Sequence, residues 1–247
     1  MQRQAMAKKT TKKTTRKPRK KTAPAKRKWR PGAWIARACL SVVLAILVLV
    51  GLYRVLPPPS TPYILSEGTR LGGIERTWVA MDDMAPVIAR SVVAAEDANF
   101  CRHWGFDMAQ LRAAIAQGGD RGASTLTQQT VKNLWLWQGR SWLRKALEGV
   151  MTPVVEALWP KRRIVEMYLN VAEFDEGVFG IEAAARHHFG TSAANLTAGQ
   201  AALLAAVLPN PKGRQAVNPS SATQKRARSI ADGAATIKRD GRADCFE

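Results

Sequence analysis

Between Ala38 and Tyr53 the chain carries no charge, and its stretch SVVLAILVLVGL is almost wholly aliphatic. Few folds accommodate such a run. A helix of roughly 20 apolar residues spans the hydrocarbon core of a bilayer, and Trp34 to Leu56 is about that length. Arg37 and Arg54 fall near its ends, where long cationic side chains reach toward headgroups. A buried core helix would show a polar face somewhere over such a length. A cleaved signal peptide would close on small residues of the A-x-A kind, whereas this run leads into Leu56-Pro57-Pro58-Pro59. The reading is an uncleaved, single-pass anchor over residues 31–56.

The charge sets the orientation of that anchor. Of a formal net charge of +19, residues 1–30 supply 9 Lys and 5 Arg against no acid. This low-complexity Lys/Thr/Pro/Ala tail has no apolar periodicity and is expected to be disordered. Alone it reads as a nucleic-acid arm. Ahead of a membrane span it reads instead as a cytoplasmic N-terminus that sends residues 57 onward across the membrane, with its cations available to anionic lipid. Of the three cysteines, Cys39 lies in the apolar run. Cys101 and Cys245 read as a disulfide in an oxidising compartment or, the favoured reading, as two separate thiols.

Residues 57–80 have Pro, Gly and little pattern, and read as a linker. From residue 81 to 232 helical signals succeed one another, with a C-terminal tail over 233–247. Val87, Ile88, Ser91, Val92 and Ala95 form a stripe at helical spacing that delivers Glu96 to its end. Asp107 is a good N-cap for a helix carrying Met108, Leu111 and Ile115. A Gly-rich mobile loop is expected over 117–124, then a capping box from Thr125 and Gln128. Further helices are expected at 141–159, 161–171 and 197–208, with a short last one near 222–230. Few alternating runs exist to build a sheet, so the class is mainly α. The anchor shares no periodicity with these helices, so removing residues 1–56 is expected to leave a folded domain.

Two acids stand out in this setting. In EDANFCRHWG, Glu96 and Asp97 are adjacent at the exit of an apolar helix; a cap plus a surface ion pair is the bland alternative. In SWLRKALEGV, Leu143, Ala146, Leu147 and Val150 read as the buried stripe, with Arg144 and Glu148 four apart. Two carboxylates in different electrostatic settings are what glycosyl chemistry asks for. Between them, Ser124, Thr125, Thr127, Gln128 and Gln129 are dense in donors and acceptors, while Lys132, Arg140, Arg144 and Lys145 supply cations. Trp135, Trp137 and Trp142 read as core or as a membrane-interface face, and the nearby anchor favours the second.

The segments EDANF-x-x-HWG, GASTLTQQ, RKALE and KRRIVEMYLN stand in the order of the four leading motifs of the glycosyltransferase family 51 peptidoglycan polymerases. Their register over about 75 residues carries the resemblance, and EGVFGIEAAARHHFG and LTAGQAALLAAVLPNP extend it to about residue 230. No S-x-x-K or K-T-G of a penicillin-binding domain is present. The resemblance implies a lysozyme-like helical fold with a membrane-facing jaw. It implies polymerisation of lipid II, with inversion and release of undecaprenyl pyrophosphate, by a periplasmic domain anchored in the bacterial inner membrane. Its partners are then lipid II, the growing glycan strand, the bilayer and other cell-wall synthesis proteins, with no nucleic acid.

Carried over by position, Glu96 is the general base and Glu148 the second catalytic carboxylate. Glu148 holds the pyrophosphate region directly or through a divalent cation, Mg or Mn, with no cofactor obligatory. Lys132, Arg140, Arg144 and Lys161 neutralise the leaving group. Asp97, Phe100, His103, Ser124, Thr127, Gln128, Gln129 and Asn170 are the remaining expected substrate contacts. This chain departs from the pattern at His188, where the family has Tyr, at Gln200 for Glu, and in a fifth motif met only by Arg226.

Overall fold

The computed structural model describes residues 31–118, 124–139 and 141–247. The basic tail, most of the expected Gly-rich loop and Arg140 lie outside the described residues. The apolar run forms α1, Pro31–Tyr53, whose Trp34–Tyr53 portion is long and apolar enough to cross a membrane. Its last turns are built into the helical domain. Val50 is fully buried, Trp159 Nε1 donates to the Val50 carbonyl at 2.8 Å, and the Tyr53 ring stacks on Trp135 with centroids 6.1 Å apart.

The stretch expected as a linker is structured. Thr61 caps α2, Pro62–Leu71, by accepting from Ile64 N at 3.2 Å, and Pro62 opens the helix where a missing N–H costs nothing. A short strand β1, Glu75–Arg76, comes next. Only Ile64 and Glu67 of α2 are buried. The Thr61-Pro62 pair is its local signal.

The domain proper runs through α3 (Pro86–Glu96), α4 (Met108–Ala116), α5 (Leu126–Trp135), α6 (Trp142–Leu158) and α7 (Lys161–Val171). It continues through β2 (Glu173–Asp175), β3 (Val178–Phe179), α8 (Ile181–Phe189), α9 (Ala198–Val207) and α10 (Ser221–Arg239). β3 lies centrally, parallel to β1 and antiparallel to β2. One helical layer packs α3 on α9 and α10, and another packs α5 on α6 and α7. The small buried face of α9 (Ala201, Ala202, Ala205, Ala206) lets α3 and α10 approach closely.

Further expectations need correction. The last helix is 19 residues long, and the tail is core rather than appendage: Ala243 and Phe246 are buried and Cys245 is disulfide-bonded to Cys101. The favoured reading of two free thiols therefore fails. On α6 the apolar stripe faces outward. Leu143 and Val150 are each 64% exposed, whereas Glu148, Met151, Thr152, Val155 and Glu156 are buried. On α4 no residue is buried, so Met108, Leu111 and Ile115 form an uncovered apolar face.

Candidate active site

α3 ends at Glu96 because Asp97 leaves helical geometry to serve two partners. Its buried carboxylate accepts the Leu126 N–H through Oδ2 at 2.9 Å and meets His103 Nε2 through Oδ1 at 2.8 Å. Leu126 opens α5, so the charge sits on free N–H groups at the positive end of that helix. The adjacent acids thus divide the work: Asp97 braces α3 against α5, and Glu96 remains at the cleft. Gly105 closes the same loop at φ 81°, where a Cβ would stand 2.6 Å from Thr152 Cγ2.

Glu96 is held by one oxygen only. Gln129 Nε2 donates to its Oε2 at 3.0 Å, and the Tyr168 hydroxyl donates to Gln129 Oε1 at 3.1 Å, which fixes the amide's direction. Burial and the Glu96 charge push the Tyr168 pKa up, so the phenol stays a donor. The other oxygen, Oε1, has no hydrogen-bond partner among the described residues and faces Arg226 Nη2 of α10 at 3.5 Å.

Glu148 is the opposite case. It is buried, with the Arg144 guanidinium on Oε1 and Lys145 Nζ 2.9 Å from Oε2. Lys145 also donates to Ser124 Oγ at 3.0 Å, and Arg144 Nε to the Gly139 carbonyl at 2.8 Å. Lys132 lies in the fields of both carboxylates and both cations, without a hydrogen bond or ion pair of its own among the described residues. Burial, then Arg144, lowers its pKa. A cavity of about 280 Å³ has Gln129, Lys132, Tyr168 and Asn210 in its wall. Another, of about 390 Å³, has Arg226, Arg214, Asn218 and again Asn210. Through Gln129 and Arg226, Glu96 stands between the two.

Several residues expected to meet substrate are committed inside the protein instead. Phe100 is fully buried core. The Thr127 hydroxyl donates to Glu156, and Gln128 completes the capping box with Thr125. Asn170 accepts from Val79 N and donates to Val79 O, both at 2.9 Å. Lys161 Nζ binds Glu156 Oε1 at 2.8 Å and the His103 carbonyl at 2.9 Å. His103 itself is spent on Asp97. These motif positions are filled by residues that build the cleft floor. Conversely Tyr168, inside KRRIVEMYLN, and Arg226, of the incomplete fifth motif, reach the Glu96 network; the sequence marks both positions but not this contact. Trp135, expected at a membrane face, packs between Tyr53 and Trp159.

A helical domain that presents one half-free carboxylate between two polar cavities, beside an unpaired ammonium, is a glycosyl-transfer domain in its chemistry. The transglycosylase family profile matches residues 66–235. The biosynthetic peptidoglycan transglycosylase of Jannaschia sp. (strain CCS1) is 64% identical over 213 residues, covering 86% of this chain and 89% of that protein. Its counterpart from Rhodospirillum centenum is 46% identical over 219 residues (86% and 94%), and that from Caulobacter vibrioides 42% over 226 residues (87% and 99%). The chain belongs to the transglycosylase family, and its fold is the mainly α, lysozyme-like one of that family.

Proposed function

We propose that this chain is a peptidoglycan glycosyltransferase that polymerises lipid II into glycan strands at the bacterial cytoplasmic membrane. The observation that carries this reading is the state of Glu96: Oε2 fixed by Gln129, and Oε1 without a hydrogen bond among the described residues, 3.5 Å from Arg226. Oε1 takes the proton of the acceptor's GlcNAc 4-hydroxyl as that oxygen attacks the anomeric carbon of the growing strand. The bond from that carbon to the pyrophosphate oxygen breaks, configuration inverts, and undecaprenyl pyrophosphate leaves. Lys132, unpaired and partly desolvated, meets the developing phosphate charge, with Arg144 and Lys145 behind it. A divalent cation does not fit at Glu148 in this arrangement, because Arg144 and Lys145 occupy both carboxylate oxygens.

The apolar surface supports a membrane-seated cleft. Trp142 is 92% exposed beside Leu143 on α6, and Ile115 on α4 is 67% exposed. Patches of this kind mark interaction with lipid or partners. The basic tail supports a cytoplasmic N-terminus, and the Cys101–Cys245 disulfide supports an oxidising, periplasmic site for the domain. Lipid II polymerisation by the purified full-length protein tests the reading. Glu96→Gln should bind lipid II yet turn it over about 10²–10⁴-fold more slowly. Polymerisation at the wild-type rate by that variant, or cleavage of finished peptidoglycan by the wild type, removes the assignment.

A further inference from the structure

The sheet side of the domain holds a second group of titratable side chains that the glycosyl-transfer site does not use. Asp175 ends β2, and His187 and His188 lie in the last turn of α8. One ligand-capable atom from each lies within 4.8 Å of the other two. His188 is the informative member. Its side chain is 5% exposed, its Nε2 has no hydrogen-bond partner among the described residues, and that nitrogen faces Asp175 Oδ2 at 3.6 Å.

A buried ring nitrogen without a hydrogen bond thus faces a carboxylate oxygen just beyond hydrogen-bond distance, an arrangement that a cation between the two would satisfy.

The neighbours are set for the same purpose. His187 Nδ1 is 3.1 Å from Glu75 Oε1 on β1, a carboxylate that favours the Nδ1–H tautomer and leaves Nε2 free. Asp175 Oδ1 accepts the Glu176 N–H at 2.7 Å, which leaves Oδ2 available. The comparable group of Asp97, His103 and Asp107 differs on this point. There the carboxylate oxygens are already taken by His103, by Asn99 and by the N–H groups of Leu126, Ala109 and Gln110.

We propose that Asp175, His187 and His188 bind a divalent transition metal of the Zn²⁺ kind, with Glu75 orienting His187. Two imidazoles and one carboxylate suit Zn²⁺ and disfavour Mg²⁺ or Ca²⁺, which take oxygen donors. Three protein ligands leave a fourth position for water. The ion fastens β2 to the end of α8 and, through Glu75, to β1, away from Glu96 and Glu148.

The test uses full-length protein in detergent, purified without a histidine tag and stripped with a chelator. Calorimetric titration should give one Zn²⁺ per chain and no comparable Mg²⁺ binding, and Co²⁺ should develop visible d–d bands. Asp175→Asn and His188→Phe should each lose measurable Zn²⁺ binding, and Glu75→Gln should weaken it about 10–100-fold. His187→Ala, at a position 39% exposed, supplies the same loss if the buried substitution at 188 unfolds the chain. Absence of Zn²⁺ binding by the wild type, or wild-type affinity in His187→Ala, overturns the proposal.

Discussion

Lys132 and Lys161 are both lysines that the sequence singles out, and their surroundings give them opposite work. Lys161 lies over the Phe100 ring at 4.1 Å and neutralises Glu156, whose side chain is 2% exposed. Removing the ammonium leaves a buried unpaired carboxylate, which typically costs about 3–5 kcal/mol. Lys161→Ala should therefore lower Tm sharply while activity per folded molecule changes less. Lys132→Ala should do the reverse, because its ammonium has no partner among the described residues to abandon: Tm holds and KM for lipid II rises. Calorimetry beside steady-state kinetics separates the two. Lys132 also carries a pH dependence of known sign. Its pKa is lowered by burial, so as pH rises its ammonium is lost before that of an ordinary lysine, and KM should climb at a pH below the usual lysine range. Lys132→Arg should abolish that climb; a KM that is pH-independent in the wild type would remove Lys132 from substrate binding. The sequence makes both residues visible. It cannot tell them apart, because the carboxylate that claims Lys161 is known only once α6 and α7 are packed.

The same limit acts on whole elements. Helical period alone places α7 at Lys161–Val171, as found, and the Thr125–Gln128 box correctly starts α5. Period does not say which face turns inward. On α6 the inward face carries Glu148, Thr152 and Glu156, satisfied by Arg144, Lys145, the Glu148 carbonyl, Thr127 and Lys161. Met151 and Val155 share that inward face, while Leu143 and Val150 are left outside. Burial of polar groups is tolerated only with such partners, and the partners come from elsewhere in the fold. The outward face belongs to the membrane in this reading, and each aromatic buried in lipid contributes at about 25 cal/mol per Å². Changing Trp142 and Leu143 together to Ser should reduce vesicle co-sedimentation with no fall in Tm. Trp135→Ser should instead lower Tm, since that ring packs between Tyr53 and Trp159. Equal sedimentation of the Trp142/Leu143 variant and the wild type would detach this face from the bilayer.

At the scale of the molecule, the C-terminus and the last turns of the anchor are both part of the domain. The C-terminus is fastened beside the catalytic motif by the Cys101–Cys245 disulfide and by the Arg90–Glu247 ion pair. The anchor's last turns enter the core, which changes where the chain can be cut. The sequence places the boundary at residue 56, because hydropathy ends there. Yet Val50 is fully buried, Trp159 donates to its carbonyl, and Arg163 donates to the Tyr53 carbonyl at 3.1 Å. A chain starting at Pro57 loses the burial of Val50, worth about 1.5–3 kcal/mol, and hydrogen bonds worth about 1 kcal/mol each. A chain starting at Val43 keeps all of them. At roughly 2–4 °C per kcal/mol for a domain of this size, the shorter form should melt on the order of 10 °C below the longer one. Both are measured in the same detergent, so that exposed apolar surface is covered alike. Tryptophan emission adds a second readout: Trp135 and Trp159 lose Tyr53 and Val50 as neighbours, and emission should shift to the red only in the shorter form. Coincident melting curves and unchanged emission would show that the domain ends where the hydropathy does, and that α1 is a tether with no share in the fold.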